Sequence, residues 1–253
     1  MAVRKTDYSA IAPRYDTARS DMTVPVDRVL ADIGGRVTPV FALDVGCGTG
    51  NYIRAQLEKQ ACLVDWTGSD PSEEMLEFAK DKLPQVQFVN CPAEDLGLSK
   101  ESFDFIYSSF AIHHFTDRGR AFDEMARVLK PTGTIRLVNI SPEFMEGFSV
   151  YRYFDTTLET DLARHPSLRE VVASFKERGF QVEADLEVKT VGKMKRDLID
   201  EVERRDNSML AILHEERYQE GLTRVYAIKE SEIQEETAMI RLRAWRDDSC
   251  STT

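Results

Sequence analysis

Between residues 40 and 142, short apolar runs alternate with segments whose apolar residues recur every three or four positions. The run Val40-Phe41-Ala42-Leu43-Asp44-Val45 is continuous rather than alternating, as expected of a strand covered on both faces of a parallel sheet. It stops at Gly46-Cys47-Gly48-Thr49-Gly50, after which Asn51 to Lys59 reads as a helix. Leu63 to Ser69 predicts a strand, and Ser72 to Lys82 a helix whose start is marked by Pro71. Val86 to Asn90 and Phe103 to Ser108 are strand-like, Asp117 to Leu129 is helical, and Lys130-Pro131-Thr132-Gly133 reads as a stop and turn before a strand over Thr134 to Ile140. Upstream, Val26, Val29, Leu30 and Ile33 have helical spacing within 22–33. Strands alternating with helices predict a doubly wound α/β sheet.

After Pro142 the pattern changes. Residues 143–166 look irregular and are rich in aromatics (Phe144, Phe148, Tyr151, Tyr153, Phe154). Ser167-Leu168-Arg169-Glu170 has the spacing of a capping box, and Gly179 fits the far end of that helix. Phe180 to Val191 alternates like a strand. Residues 195–229 read as helical, with Leu198, Ile199, Val202, Met209, Leu210, Ile212 and Leu213 available for a buried face. Thr237 to Trp245 alternates again and suits a final strand, followed by a loose tail over 247–253.

Composition narrows the function classes. The 253 residues suffice for one large α/β domain or two small ones. A formal net charge of −11, with no basic cluster larger than Lys193, Lys195 and Arg196, argues against a nucleic-acid partner, since phosphate contacts demand a basic field. No apolar run approaches the roughly 20 residues of a membrane-spanning helix. The basic residues Arg4 and Lys5 have no apolar core behind them, so no secretory signal is expected. The expectation is a cytoplasmic protein without a membrane partner. Cys47, Cys62, Cys91 and Cys250 are scattered, and with His113, His114, His165 and His214 they make no metal-ligand spacing. Free thiols and no metal are expected.

The candidate chemistry lies in the first half. Alternate glycines at Gly46, Gly48 and Gly50, between a buried strand and a helix, allow a tight turn and let a ligand touch backbone. Ligands of open α/β sheets bind at this carboxyl edge. The spacing is Gly-x-Gly-x-Gly, not the Gly-x-Gly-x-x-Gly of a dinucleotide site, and Asp44 precedes it by two residues. That carboxylate repels a pyrophosphate and attracts a cation. The loop resembles the first motif of class I S-adenosylmethionine (SAM)-dependent methyltransferases, in which the methionine part of SAM lies over the glycines.

The remaining motifs of that family follow in order. Asp70, in Gly68-Ser69-Asp70-Pro71-Ser72, stands twenty residues after Gly50, where the family's acidic residue grips the ribose hydroxyls. Two carboxylate oxygens suit a vicinal diol. The family often stacks adenine near Ser72 to Met75, directly after Pro71. Asn90-Cys91-Pro92-Ala93-Glu94-Asp95-Leu96 resembles the adenine-reading segment, but Pro92 replaces its usual Asp, leaving the Ala93 backbone N–H and Glu94 as the candidate contacts. Phe103 to Phe115 matches the fourth strand and the loop over the cofactor, including Ser109. Arg127-Val128-Leu129-Lys130-Pro131-Thr132-Gly133-Thr134 matches the turn before the fifth strand. Tyr8 and Tyr15 lie in a lead-in resembling that of small-molecule members, where a tyrosine lids the cofactor. The cofactor-binding set implied is thus Asp44, Gly46, Cys47, Gly48, Gly50, Asp70, Pro71, Met75, Ala93, Glu94, Ser109 and Tyr15.

The resemblance implies one methyltransferase domain over 1–253, with a seven-stranded, mainly parallel sheet whose last strand is antiparallel. Its core would span about 35–142 and 167–246, with cap segments 1–20, 143–166 and 195–229. It implies in-line methyl transfer from SAM to a small-molecule acceptor, leaving S-adenosylhomocysteine. His114, and after it His113, are candidate catalytic bases, because histidine titrates near neutrality. The aromatic and Met-containing segments 143–154 and 194–213 are expected to make an apolar or neutral acceptor's pocket. The absence of an Asn/Asp-Pro-Pro-Tyr/Phe run disfavours amino-group methylation of nucleic acid or protein glutamine. Cysteine spacing disfavours an arsenite methyltransferase, and the acidic residues do not form a catechol-type metal set. A SAM-fold enzyme with non-methylating chemistry and a non-catalytic SAM-binding regulator are the alternatives.

Overall fold

The computed structural model describes residues 24–60, 63–154, 157–205, 208–211 and 213–246. Seven strands form one sheet in the order β3-β2-β1-β4-β5-β7-β6. They are β1 (Val40–Val45), β2 (Val64–Asp70), β3 (Gln87–Asn90), β4 (Phe103–Ser109), β5 (Leu129–Ile140), β6 (Gln181–Met194) and β7 (Glu232–Trp245). β1 to β5 are mutually parallel, whereas β7 runs antiparallel to both β5 and β6. This is the doubly wound, seven-stranded sheet with an antiparallel last strand that the sequence predicts.

The continuous apolar run of β1 is explained by its two packed faces. Leu43 and Val45 join one core with Ile106, Leu137 and the helices α4 (Arg118–Val128) and α7 (Leu168–Glu177). Val40 and Ala42 join a second core with Trp66, Phe105 and the helices α1 (Arg28–Gly34), α2 (Asn51–Lys59) and α3 (Glu73–Lys82). β7 shows the opposite pattern. Ala238, Ile240, Leu242 and Ala244 are buried while Met239, Arg241, Arg243 and Trp245 are half-buried, so its alternation reflects one sealed face.

Several boundaries differ from the sequence reading, each for a local reason. α1 begins at Arg28, because the Asp27 carboxylate caps it by accepting from the Val29 and Leu30 N–H groups. Lys130 to Gly133 is not a turn between elements but a bulge within β5. Leu129 pairs with Phe103 and Thr134 with Phe105, so five steps along β5 match two along β4. The capping box of Ser167 and Glu170 is formed as predicted.

The described residues of 143–166 are mostly helical rather than irregular: a 3-10 segment over Pro142–Gly147 leads to α5 (Ser149–Tyr153) and α6 (Thr157–Arg164). These helices are too short to print a period on the sequence. The stretch 195–229 is three helices, α8 (Lys195–Arg204), α9 (Ser208–Ala211) and α10 (Glu215–Tyr226), the first ended by left-handed Arg205. β6 and β7 pair out to Met194 and Glu232, although Ile140 at the end of β5 pairs only with Met239. The β6–β7 hairpin therefore overhangs the carboxyl edge of the parallel strands. Val150, Phe154, Leu198, Val202, Leu210, Leu222 and Ile233 form a third apolar core there. No described helix is long and apolar enough to cross a membrane.

Candidate functional site

β1 lies between β2 and β4, where the strand order reverses, and the loop after it opens at the carboxyl edge of the sheet. Gly46, Gly48 and Gly50 have φ of 74, 52 and 76°. A side chain at Gly46 would put its Cβ 2.5 Å from that of Ala111, in the loop after β4, whereas one at Gly48 would meet nothing within 4 Å. Gly46 thus lets two loops touch, and Gly48 leaves its backbone open to a ligand. Asp70, at the end of β2, braces this arrangement: its Oδ2 accepts from Gly48 N (2.9 Å) and its Oδ1 from Ser72 N (2.9 Å). Lys82 Nζ donates to the Thr49 carbonyl (2.9 Å) and Asn51 Oδ1 (2.7 Å) on the loop's far side.

Two cavities meet over the loop, sharing Gly46, Gly48, Ser109 and Phe110 in their walls. The smaller, about 160 Å³, is bounded by Asp70, Pro71, Met75, Ala93, Glu94 and His114. The larger, about 560 Å³, is bounded by Asp44, Cys47, Tyr52, Tyr107, Arg136 and Arg241. Phe110, at φ 51°, stands at their junction in a conformation uncommon for a bulky residue, held by its N–H on the Val138 carbonyl (2.9 Å).

The electrostatics favour a cation. Asp44 is 2% exposed. Burial, and then the charge of Asp70, push its carboxyl well above the usual range. Burial also raises Asp70, against the lowering effect of the Ser72 and Gly48 N–H groups. Two carboxylates disfavoured by burial, Asp44 also by the charge of Asp70, at the rim of an open backbone cradle, are relieved by a positively charged ligand. SAM, with its ammonium, sulfonium and ribose diol, fits this donor set.

The predicted residues divide by place. Asp44 and Cys47 face the larger cavity; Asp70, Pro71, Met75, Ala93, Glu94 and His114 face the smaller; Gly46, Gly48 and Ser109 face both. Gly50 borders neither and packs toward Leu83 and Ala79. Glu94 is partly committed elsewhere, because its Oε1 accepts from Thr116 N (2.5 Å) and Asp117 N (2.9 Å) at the start of α4. Tyr15, like Tyr8, lies outside the described residues.

The histidines sit differently from a base in water. His113 is buried, borders neither cavity and is 3.0 Å from Asn139 Oδ1 through Nδ1. Its ring lies 4.0 Å from that of His114 and 4.1 Å from that of His165. Burial depresses all three, His113 well below its ordinary value, His114 to about 3 and His165 to about 4. All are neutral at pH 7.

Sequence reasoning missed the larger cavity's walls. Tyr52 and Tyr107 stack at 3.5 Å between ring centroids, and Asp27 Oδ2 accepts from Tyr52 Oη (2.7 Å) and Arg136 Nη1 (3.0 Å). The only available signal was a lone arginine in an apolar strand, at Arg136. The expected pocket from 143–154 and 194–213 is corrected: the described residues of these segments border neither cavity, and several of them pack on one another in the third core.

Comparison with known proteins agrees with this geometry. Residues 43–137 match the family model described as a methyltransferase domain. The chain is 26% identical over 210 residues to the ubiquinone/menaquinone biosynthesis C-methyltransferase UbiE of Campylobacter jejuni, covering 69% of this chain and 88% of that protein. It is 30% identical over 163 residues to the protein of the same name from Geotalea daltonii, covering 58% and 67%. Among solved structures, a protein assigned as a methyltransferase of an antibiotic biosynthesis pathway from Anabaena variabilis superposes with a TM-score of 0.68 at 25% identity, covering 87% of this chain and 98% of that one. The chain belongs to the class I SAM-dependent methyltransferases. SAM is its cofactor, and it transfers the methyl group to a small-molecule acceptor.

Proposed function

We propose that the acceptor is a planar, oxygen-bearing ring compound that enters the larger cavity and meets the cofactor beside Ser109, Phe110 and Ala111. The observation that carries this reading is the larger cavity itself. At about 560 Å³ it has the size of a small-molecule pocket. Its wall combines the stacked Tyr52–Tyr107 pair with Arg136, Thr237 and Arg241, whose donors suit ring oxygens. Relatives named as C-methyltransferases of ubiquinone and menaquinone biosynthesis support the same class. The cavity's charged wall points away from a wholly apolar acceptor.

In this reading Asp70 holds the ribose hydroxyls, Asp44 faces the cationic methionine end, and Pro71, Met75 and Ala93 enclose the adenine. SAM, when bound, supplies an electrophilic methyl on sulfur. The protein's own work is alignment and exclusion of water, worth about 7 kcal/mol or more in favourable cases. His114, which borders the smaller cavity with its basicity depressed by burial, faces the cofactor as a neutral imidazole rather than the acceptor in the larger cavity. His113 positions that loop through Asn139. Cytoplasmic residence is supported by the free thiols of Cys47 and Cys91.

Titration calorimetry with S-adenosylhomocysteine tests the cofactor roles: Asp70→Ala should weaken binding at least tenfold, about 1.4 kcal/mol. Methyl transfer from labelled SAM to a panel of phenols, naphthols and quinols tests the acceptor class. Turnover on none of them, by a protein that binds S-adenosylhomocysteine, overturns the ring-compound reading.

A further inference from the structure

β6 is the last strand of the sheet, and among the described residues no strand pairs with its outer edge. That edge is 14 residues long. Long open edges invite pairing, and proteins usually shorten, twist or charge them. Here Val188 and Val191 are each 42% exposed and Met194 is 38% exposed. The charges are segregated by sign: Glu183, Asp185 and Glu187 occupy the first half, Lys189 and Lys193 the second.

We infer that the β6 edge pairs antiparallel with the β6 edge of a second copy, about a two-fold axis at Val188. In that register Glu187 lies opposite the partner's Lys189 and Glu183 opposite the partner's Lys193, each pair occurring twice; within one chain Lys189 already pairs with Glu187, and Lys193 with Glu201 and Glu235, so the facing pairs extend existing ion pairs. Val182 lies opposite the partner's Met194 and Leu186 opposite the partner's Thr190. Odd residues meet odd and even meet even, so the polar and apolar faces of the two sheets stay continuous. Moving the axis to Glu187 or Lys189 puts like charges directly opposite one another, which is destabilising, and a parallel in-register pairing does so at every charge. Sign segregation thus disfavours those registers, and of the two-fold axes that keep like charges apart the one at Val188 makes four facing pairs of opposite sign, against two for an axis at Thr190.

The pairing also reaches the site. Glu187 and Lys189 border the larger cavity, so the partner's Lys189 would complete its outer wall. Arg241 already holds Glu187 from β7, its Nε at 2.8 Å, and Lys189 of the same strand holds it at 2.8 Å, so the partner's Lys189 would add a third cation to this carboxylate.

The full chain should sediment as a dimer at micromolar concentrations. Lys189→Glu, and separately Glu187→Lys, should each raise the dimer dissociation constant at least tenfold, with Lys193 left in place because Glu201 and Glu235 hold it within its own chain. Mixing the two variants should restore a one-to-one dimer, because every facing pair then has opposite sign. As a variant that leaves the charges in place, Val188→Cys should cross-link under mild oxidation through thiols introduced at the axis. A monomeric wild type, or a dimer indifferent to both charge reversals with no cross-link at Val188→Cys, overturns the pairing.

Discussion

Alanine at Gly46 and at Gly48 should have sharply different consequences, although the two glycines look equivalent in Gly-x-Gly-x-Gly. Both have positive φ, and a left-handed conformation costs an L residue about 1–2 kcal/mol. At Gly48 that is the whole stability cost, since the added methyl meets nothing within 4 Å. At Gly46 the methyl arrives 2.5 Å from Ala111 Cβ, and overpacking of this kind adds about 1–3 kcal/mol. For a chain of this size each kcal/mol lowers Tm by roughly 2–4 °C. Gly48→Ala should therefore melt a few degrees low, and Gly46→Ala roughly 4–20 °C low. Binding should be affected at both. The methyl on Gly48 occupies the open space shared by the two cavities, so a folded Gly48→Ala protein should lose at least tenfold in affinity for S-adenosylhomocysteine, about 1.4 kcal/mol. Adding Ala111→Gly should recover much of the melting loss of Gly46→Ala and none of the binding loss of Gly48→Ala. The assays are thermal unfolding by circular dichroism and titration calorimetry. Undiminished binding by Gly48→Ala would refute the cradle, and equal melting of the two variants would refute the loop contact.

Two further outcomes follow from the buried charges. Asp44→Asn removes a carboxylate that burial and Asp70 both disfavour, so the protein should melt at or above the wild-type temperature while its affinity for SAM falls at least tenfold; a large loss of stability would contradict the electrostatic reading. His113, His114 and His165 have lowered folded-state values, so the folded protein binds fewer protons than the unfolded chain once pH drops below about 6.5. Stability should hold above that pH and fall between about pH 6.5 and 4, by up to about 1.4 kcal/mol per pH unit for each histidine. Urea unfolding across this range checks it, with His165→Gln expected to flatten the slope.

The sequence determined the sheet and the half of the site that recognises the cofactor, because both rest on local chemistry. A strand sealed on both faces must be apolar throughout, a loop that brings backbone to a ligand needs its glycines, and a cap needs its Ser and Glu three residues apart. β1, the Gly46–Gly50 loop, Asp70 and the Ser167 capping box were legible for those reasons. The rest depends on residues far apart in the chain. Asp27, Tyr52, Tyr107 and Arg136 come together only when α1, α2, β4 and β5 pack, and apart from the lone arginine in an apolar strand no local pattern marks them. The aromatics of 143–154 could not reveal whether they faced an acceptor or one another; the overhanging β6–β7 hairpin decided that by giving the cap helices a core of their own. Burial likewise decided the histidines, since an imidazole's basicity depends on the solvent that tertiary packing removes.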